Sequence, residues 1–186
     1  MANNKDEIII GTAHGMAIRF PATDLRPLGR SARGVTAIKL RVDDSIVGCD
    51  IVPKDHVAQL LVVTTDGYGK RTSISEFRSQ NRGGIGLIAT KFKKPTSRVT
   101  TITIVNEDDE IMIVTANGIV TRQKAGNISK QGRPATGVCI QNMMDNDSVV
   151  AVNKIIIPEG ELELPQTEGL NLLSPICNNQ DTESEE

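Results

Sequence analysis

Six arginines recur in register along this chain, and their chemistry is that of anion recognition. Arg19, Arg71 and Arg122 each lie four residues after a glycine (Gly15, Gly67, Gly118), and Arg30, Arg82 and Arg133 each lie four residues before another (Gly34, Gly86, Gly137). The first set of glycines is spaced by 52 and then 51 residues, which makes the layout a threefold repeat. A guanidinium presents a planar fork of N–H donors that matches phosphate oxygens in pairs. Loop glycines let the backbone approach a ligand and turn its own N–H groups toward an anion. The loops read Leu28-Gly-Arg-Ser-Ala-Arg-Gly34, Gln80-Asn-Arg-Gly-Gly-Ile-Gly86 and Gln131-Gly-Arg-Pro-Ala-Thr-Gly137. One such loop is better explained as a solvated corner. Three in register, with Arg33, Lys70, Lys91, Lys93 and Lys124 beside them, favour a row of cations facing a repetitive anion.

The charge distribution agrees with that reading. All 21 Lys and Arg lie between Lys5 and Lys154, a stretch holding 15 of the 23 acids, so the body carries 21 − 15 = +6. The other 8 acids, Glu159 to Glu186, face no base. The formal net charge of −2 averages two opposed regions.

The elements that must position the arginines are short strands. Apolar content is 38% and almost wholly aliphatic, with one Tyr, three Phe and no Trp, and its β-branched excess favours strands over helices. Four strands are expected per repeat: Glu7–Ala13, Met16–Phe20, Val35–Arg41 and Ile46–Val52; Gln59–Thr65, Tyr68–Ser73, Leu87–Lys93 and Arg98–Val105; Glu110–Ala116, Ile119–Gln123, Val138–Met143 and Ser148–Ile155. His14-Gly15, Asp66-Gly67 and Asn117-Gly118 join the first two strands of each unit, as hairpin turns with positive φ require. An apolar residue ten positions after each turn glycine, Leu25, Phe77 or Ile128, is placed to pin the long loop to the core. Four strands per unit of about 50 residues is the pattern of a β-propeller blade. The expectation is an all-β array of three blades over residues 1–158, followed by an acidic, disordered tail over 159–186.

Other chemistries find no support. Single-strand binders stack bases on aromatic side chains, which are nearly absent here, and no recognition helix for the major groove is visible. Two histidines and three unpaired cysteines (Cys49, Cys139, Cys177) give neither a metal site nor a disulfide framework. Gly84-Ile-Gly86-Leu-Ile-Ala89 matches a dinucleotide fingerprint only as a string, since no helix follows. Tyr68 has no base placed to activate it, and the Asp43-Asp44 pair reads as a turn. No catalytic residue, metal or cofactor is expected. Without a signal pattern or a long apolar span, a cytoplasmic setting is expected.

Three stretches carry a family resemblance: Gly15-Met-Ala-Ile-Arg-Phe-Pro21 with Leu25-Arg-Pro-Leu-Gly-Arg30, Val62-Val-Thr-Thr-Asp-Gly-Tyr-Gly-Lys-Arg-Thr72 with Asn81-Arg-Gly-Gly84, and Gly132-Arg133 with Thr136-Gly-Val138. In order, these resemble the last three blades of the C-terminal domain found in the A subunit of DNA gyrase. The resemblance runs over about residues 4–157, and the related domain of topoisomerase IV is the nearest competitor. It implies half of a six-bladed β-pinwheel, in which neighbouring blades exchange strands and a basic rim binds and bends duplex DNA. It makes Arg19, Arg30, Arg71, Arg82, Arg122 and Arg133 phosphate-contact candidates. The family's gyrase box, Gln-Arg-Arg-Gly-Gly-Arg/Lys-Gly, has its nearest match in Gln80-Asn81-Arg82-Gly83-Gly84-Ile85-Gly86, where Asn81 and Ile85 replace two cations. The implied partners are double-stranded DNA and the remaining parts of gyrase, its A and B polypeptides, an ATP-dependent enzyme of the bacterial nucleoid that introduces supercoils.

The functional expectation is duplex DNA binding without sequence preference, with the acidic tail competing for the basic rim. The alternative is a protein-docking module that associates, as a homodimer for example, through its open blade edges.

Overall fold

The computed structural model describes residues 3, 5–53 and 58–155. Eleven strands and three short 3-10 turns make up its regular structure. The first repeat gives β1 (Glu7–Thr12), β2 (Met16–Pro21) and β3 (Ile46–Val52). The second gives β4 (Gln59–Thr64), β5 (Tyr68–Ser73), β6 (Leu87–Ile88) and β7 (Val99–Val105). The third gives β8 (Glu110–Thr115), β9 (Val120–Lys124), β10 (Val138–Cys139) and β11 (Val149–Ile155). The expected tail, 159–186, and His56 lie outside the described residues.

Each repeat is built on the same hairpin. The threonine closing the first strand (Thr12, Thr64 or Thr115) is buried, and its hydroxyl accepts the N–H of Met16, Tyr68 or Ile119 at 3.2–3.3 Å. The turn glycines then take the left-handed conformation, with φ of 77°, 80° and 84° at Gly15, Gly67 and Gly118. In the outer repeats a second turn is locked onto this hairpin. Asp44 accepts the His14 and Ser45 N–H groups, both at 2.9 Å, and Asp147 accepts those of Asn117 and Ser148 at 3.0 and 2.8 Å. Burial raises both carboxyls' pKa, but the surrounding donors outweigh it and hold each below the usual range.

The sheets differ from the expected four strands per repeat in one instructive way. Their orders are β3-β1-β2-β6, β10-β5-β4-β7 and β11-β8-β9. The third strand of a repeat therefore leaves its own sheet and completes the preceding one: Leu87 and Ile88 pair with Ala17 and Met16, and Val138 and Cys139 with Gly69 and Tyr68. Val35–Arg41, expected as a strand, is not one. Its counterparts are strands only because a preceding repeat supplies an edge, and the described residues contain no repeat before the first. The third sheet has three strands for the complementary reason.

The core fills the spaces between successive sheets. Ile9, Ala17, Leu60, Val62, Phe77, Val99 and Ile102 form one buried cluster, and Leu61, Val63, Ile111, Ile113, Ile128 and Val149 another. β4, Gln59–Thr64, is buried at every position because it contributes to both. The anchors behave as expected, with Phe77 and Ile128 each 1% exposed and Leu25 packed against a smaller cluster around Phe20. At Gly48 a Cβ would stand 2.7 Å from the Ile102 carbonyl oxygen, so the first two sheets meet where only glycine fits.

Candidate nucleic-acid interface

The repeated cations divide into those turned inward and those turned out. Arg71, on β5, is 5% exposed and reaches into the 3-10 turn of the third repeat. Its Nε donates to the Ile128 carbonyl at 2.7 Å and its Nη2 to that of Gly126 at 2.9 Å, while Nη1 meets Gln59 Oε1 at 2.7 Å and Glu107 at 3.2 Å. Arg19 repeats the arrangement one sheet earlier, with Nη1 on the Ile74 carbonyl at 2.9 Å and Nε 3.3 Å from the Glu7 carboxylate. Lys70 is fully buried and donates to the carbonyls of Gly132 and Arg133 at 2.8 and 2.5 Å. Burial pushes its ammonium pKa down to about 8, opposed by the Glu76 carboxylate and assisted by Arg133. Successive side chains on a strand point to opposite faces, so Lys70 and Arg71 lie on opposite faces of β5, and residues of the third repeat meet both. The next repeat covers each of these cations, so Arg19, Lys70 and Arg71 tie repeat to repeat and leave the set of phosphate-contact candidates.

The loop arginines are placed differently. Arg82 gives one N–H to the Thr36 carbonyl at 3.1 Å, and Arg133 gives one to the Ile88 carbonyl at 3.2 Å. Thr36 and Ile88 are equivalent positions, two residues after Gly34 and Gly86, so the two guanidiniums are held at matching places on successive repeats. Arg133 also lies 5.9 Å from the centre of the Phe77 ring. One side-chain N–H holds each fork, with Arg82 exposed and Arg133 half-buried. Arg30 and Arg33 are exposed on the corresponding loop of the first repeat.

The gyrase-box-like loop is built for close approach. Gly83 and Gly86 hold φ of 80° and 76°, and Gly83 N–H donates to the Ala37 carbonyl at 2.7 Å. Asn81, Arg82 and Ile85 point to solvent, while Gln80 and Gly84 are half-buried. Arg122 and Lys124, on β9, are both exposed, and Arg122 is engaged by Glu110 through both Nε and Nη2.

A groove of about 450 Å³ between the first two repeats gathers the remaining cations. Arg41, Lys91, Lys93 and Lys94 line it together with His14 and Ile88. Ile88 is the residue whose carbonyl holds Arg133, so groove and loop arginine share one edge. Lys93 donates to the Tyr68 hydroxyl at 2.7 Å, and that bond holds its pKa above the ordinary lysine value. The counterpart between the second and third repeats, about 430 Å³, is lined by Asp66, Asp145 and Asp147 as well as Lys93 and Lys94. Positive charge is therefore concentrated at the first junction. Arg41 was absent from the sequence-derived candidates, yet it occupies the same repeat position as Lys93, a signal the alignment of repeats contains.

Serial antiparallel sheets, the first two each completed by a strand from the next repeat, define a protein of the β-propeller class. The family described as "DNA gyrase C-terminal domain, beta-propeller" matches residues 6–53, 58–106 and 109–155, one segment per repeat. The chain belongs to that family. It is similar to the A subunit of DNA gyrase from Staphylococcus aureus (strain MRSA252), 41% identical over 155 residues, which is 83% of this chain and 18% of that protein. Its fold is similar to the C-terminal domain of DNA topoisomerase IV, with a TM-score of 0.77, 23% identity, and 82% of this chain and 47% of that one covered. It is also similar to the E. coli ParC C-terminal domain, with a TM-score of 0.62, 14% identity, and 83% and 64% covered. The chain spans less than a fifth of the curated relatives it matches.

Proposed function

We propose that this chain binds duplex DNA through its phosphates, without reading sequence, and bends it along the edge that carries Arg82, Arg133 and the Arg41/Lys91/Lys93/Lys94 groove. In this role it serves as an accessory domain of a bacterial type IIA topoisomerase, working in the cytoplasm with the catalytic parts of the gyrase A and B polypeptides. The observation that carries the reading is the equivalent fixing of Arg82 and Arg133 by single hydrogen bonds to Thr36 and Ile88. That arrangement orders each guanidinium and leaves its other donors for an anion, whereas Arg19 and Arg71 direct theirs into the sheet junctions. Family membership favours DNA over a protein-docking role. Arg30 and Arg33 extend the surface, and Arg122 and Lys124 lie at its far end.

The test is fluorescence anisotropy of a labelled linear duplex with wild type and an Arg41/Lys91/Lys93/Lys94→Gln variant, its fold verified by circular dichroism. A loss of at least tenfold in affinity at about 50 mM salt is expected, on the order of 0.9 in log–log salt slope per lost phosphate contact. Unchanged affinity in a folded variant contradicts the assignment.

A further inference from the structure

The two loops that carry Arg82 and Arg133 are tethered by different chemistry, and the difference falls on one buried cation. Both loops begin alike: the Gln80 N–H donates to the Arg19 carbonyl and the Gln131 N–H to that of Arg71, each at 2.8 Å. Both also end alike, on Gly86 and Gly137 in the left-handed conformation. Between these ends, the residue after the arginine is Gly83 in one loop and Pro134 in the other. Gly83 gives its N–H to the Ala37 carbonyl at 2.7 Å and so fixes its loop directly after Arg82. Proline has no N–H, so the loop of Arg133 cannot make the equivalent bond.

A lysine supplies the missing tether from beneath. Lys70 is 0% exposed, and its Nζ donates to the carbonyls of Gly132 and Arg133 at 2.8 and 2.5 Å. Its counterparts, three residues after the turn glycine in the other repeats, are Ile18 and Thr121, so the fold itself does not demand a cation there. Ile18 only packs below its loop, where a Cβ on Gly84 would stand 3.6 Å from its Cδ1. An ammonium is costly to bury unless its hydrogen bonds are made, and here both acceptors belong to the loop. The charged groups facing Lys70 are the Glu76 carboxylate, which also accepts the Arg133 N–H at 3.1 Å, and Arg133 itself. Arg71, on the other face of β5, is taken up by Gln59, Glu107 and the carbonyls beyond them. What this clamp positions lies at the edge of the basic groove. The Arg133 guanidinium bonds to the Ile88 carbonyl, the Thr90 hydroxyl donates to the Ala135 carbonyl at 3.2 Å, and Ile88 and Thr90 both line the groove.

We propose that Lys70 is a positioning residue for DNA binding: its ammonium clamps the Gly132 and Arg133 carbonyls and thereby holds the Arg133 guanidinium at the rim, where a phosphate meets it. The inference rests on the reading of Arg133 as a phosphate contact, and adds to it a buried group that never touches DNA. Lys70 acts through Arg133, so loss of either removes the same contact. Arg82 is independent of it, because Gly83 tethers that loop. The clamp also makes the contact sensitive to pH. Burial lowers the Lys70 pKa to about 8, the Glu76 carboxylate opposing and Arg133 assisting. Its charge is in place below that value and lost above it, and a neutral amine grips two carbonyls less firmly than an ammonium. The Arg133 contact therefore weakens as pH rises through that value.

The test measures affinity of the full chain for a labelled linear duplex by fluorescence anisotropy, from about 50 to about 300 mM salt, for wild type, Lys70→Met, Arg133→Ala and the double variant. At neutral pH the two single variants are each expected to reduce the log–log salt slope by about 0.9, the share of one phosphate, and the double variant by no more than either alone. Between about pH 7 and about pH 9.5 wild-type affinity should fall toward that of Lys70→Met, with no such fall in Arg133→Ala. Comparing wild type with Arg133→Ala across that interval needs no change at Lys70, so it decides the matter even where Lys70→Met does not fold. A folded Lys70→Met with the wild-type slope, beside a weakened Arg133→Ala, overturns the proposal and leaves the Arg133 contact standing. Additive losses in the double variant overturn it too, by giving Lys70 an effect of its own. So does a wild-type pH course that matches that of Arg133→Ala. An Arg133→Ala variant with wild-type affinity removes the phosphate reading of Arg133, and this proposal with it.

Discussion

Arg71 donates its Nε–H to the carbonyl of Ile128, 57 residues further along the chain, at 2.7 Å. That bond joins the second sheet to the buried anchor of the third repeat, and Arg19 reaches the equivalent 3-10 turn of the second repeat through its Nη1, at the Ile74 carbonyl. Removing the guanidinium leaves Gln59 Oε1 and two carbonyls without their donor inside a packed junction. Arg71→Ala is therefore expected to destabilise the chain by about 3 kcal/mol, since unpaired buried polar groups cost about 1–3 kcal/mol each. Arg82→Ala, at an exposed loop, should stay within about 0.5 kcal/mol. Urea denaturation of both variants checks the contrast, and equal losses would refute the division into inward and outward arginines.

Asp44 and Asp147 each hold two backbone N–H groups, and both titrate below the ordinary value of 3.8. A depressed carboxyl pKa contributes stability that is present above the unfolded value and lost as pH falls through the folded one. An Asp44→Asn/Asp147→Asn variant is expected to be less stable than wild type at pH 7, with the gap closing below about pH 4. Denaturant midpoints measured from neutral pH down into the acid range test this, and a gap independent of pH would contradict it.

Lys70 titrates near 8 when folded and near 10.5 when free. Between those values the unfolded chain binds more protons, so stability gains a rising contribution from about pH 8 to 10.5, at most about 1.4 kcal/mol per pH unit. Lys70→Met should lack that rise. Denaturation midpoints across that interval for both proteins decide it, and parallel curves would show that Lys70 does not titrate there.

The acidic segment from Glu159 to Glu186 carries eight carboxylates and no base, next to a body of opposite sign. Ending the chain after Pro158 is expected to tighten duplex binding several-fold at about 50 mM salt and much less at about 300 mM, because screening weakens the competition. Equal affinity of the two lengths at low salt would show that the tail does not compete with DNA.

The division of roles among the arginines shows how far the sequence could be read. Hairpins, anchors and the threefold period were legible because they rest on local chemistry: Asn-Gly and Asp-Gly turns, and an apolar residue ten positions on. The orientation of Arg19 and Arg71 was not, since periodicity places a residue on a strand face without saying that the next repeat will cover that face. Val35–Arg41 reads like Leu87–Lys93 in pattern, yet only Leu87–Ile88 meets a neighbouring edge and becomes a strand. Pairing partners at long sequence separation decide such cases. Arg41 was overlooked because it sits outside the glycine loops, although it shares register with Lys93.

The most direct test of the central claim is the salt dependence of affinity for a linear duplex, measured by anisotropy from about 50 to about 300 mM for wild type and an Arg30/Arg82/Arg133→Ala variant. Neutralising about six phosphates predicts a log–log slope of about −5 for wild type, and loss of three contacts predicts about −2 to −3 for the variant. A flat wild-type response, or the same slope in both proteins, would contradict the assignment of these loop arginines to the DNA backbone.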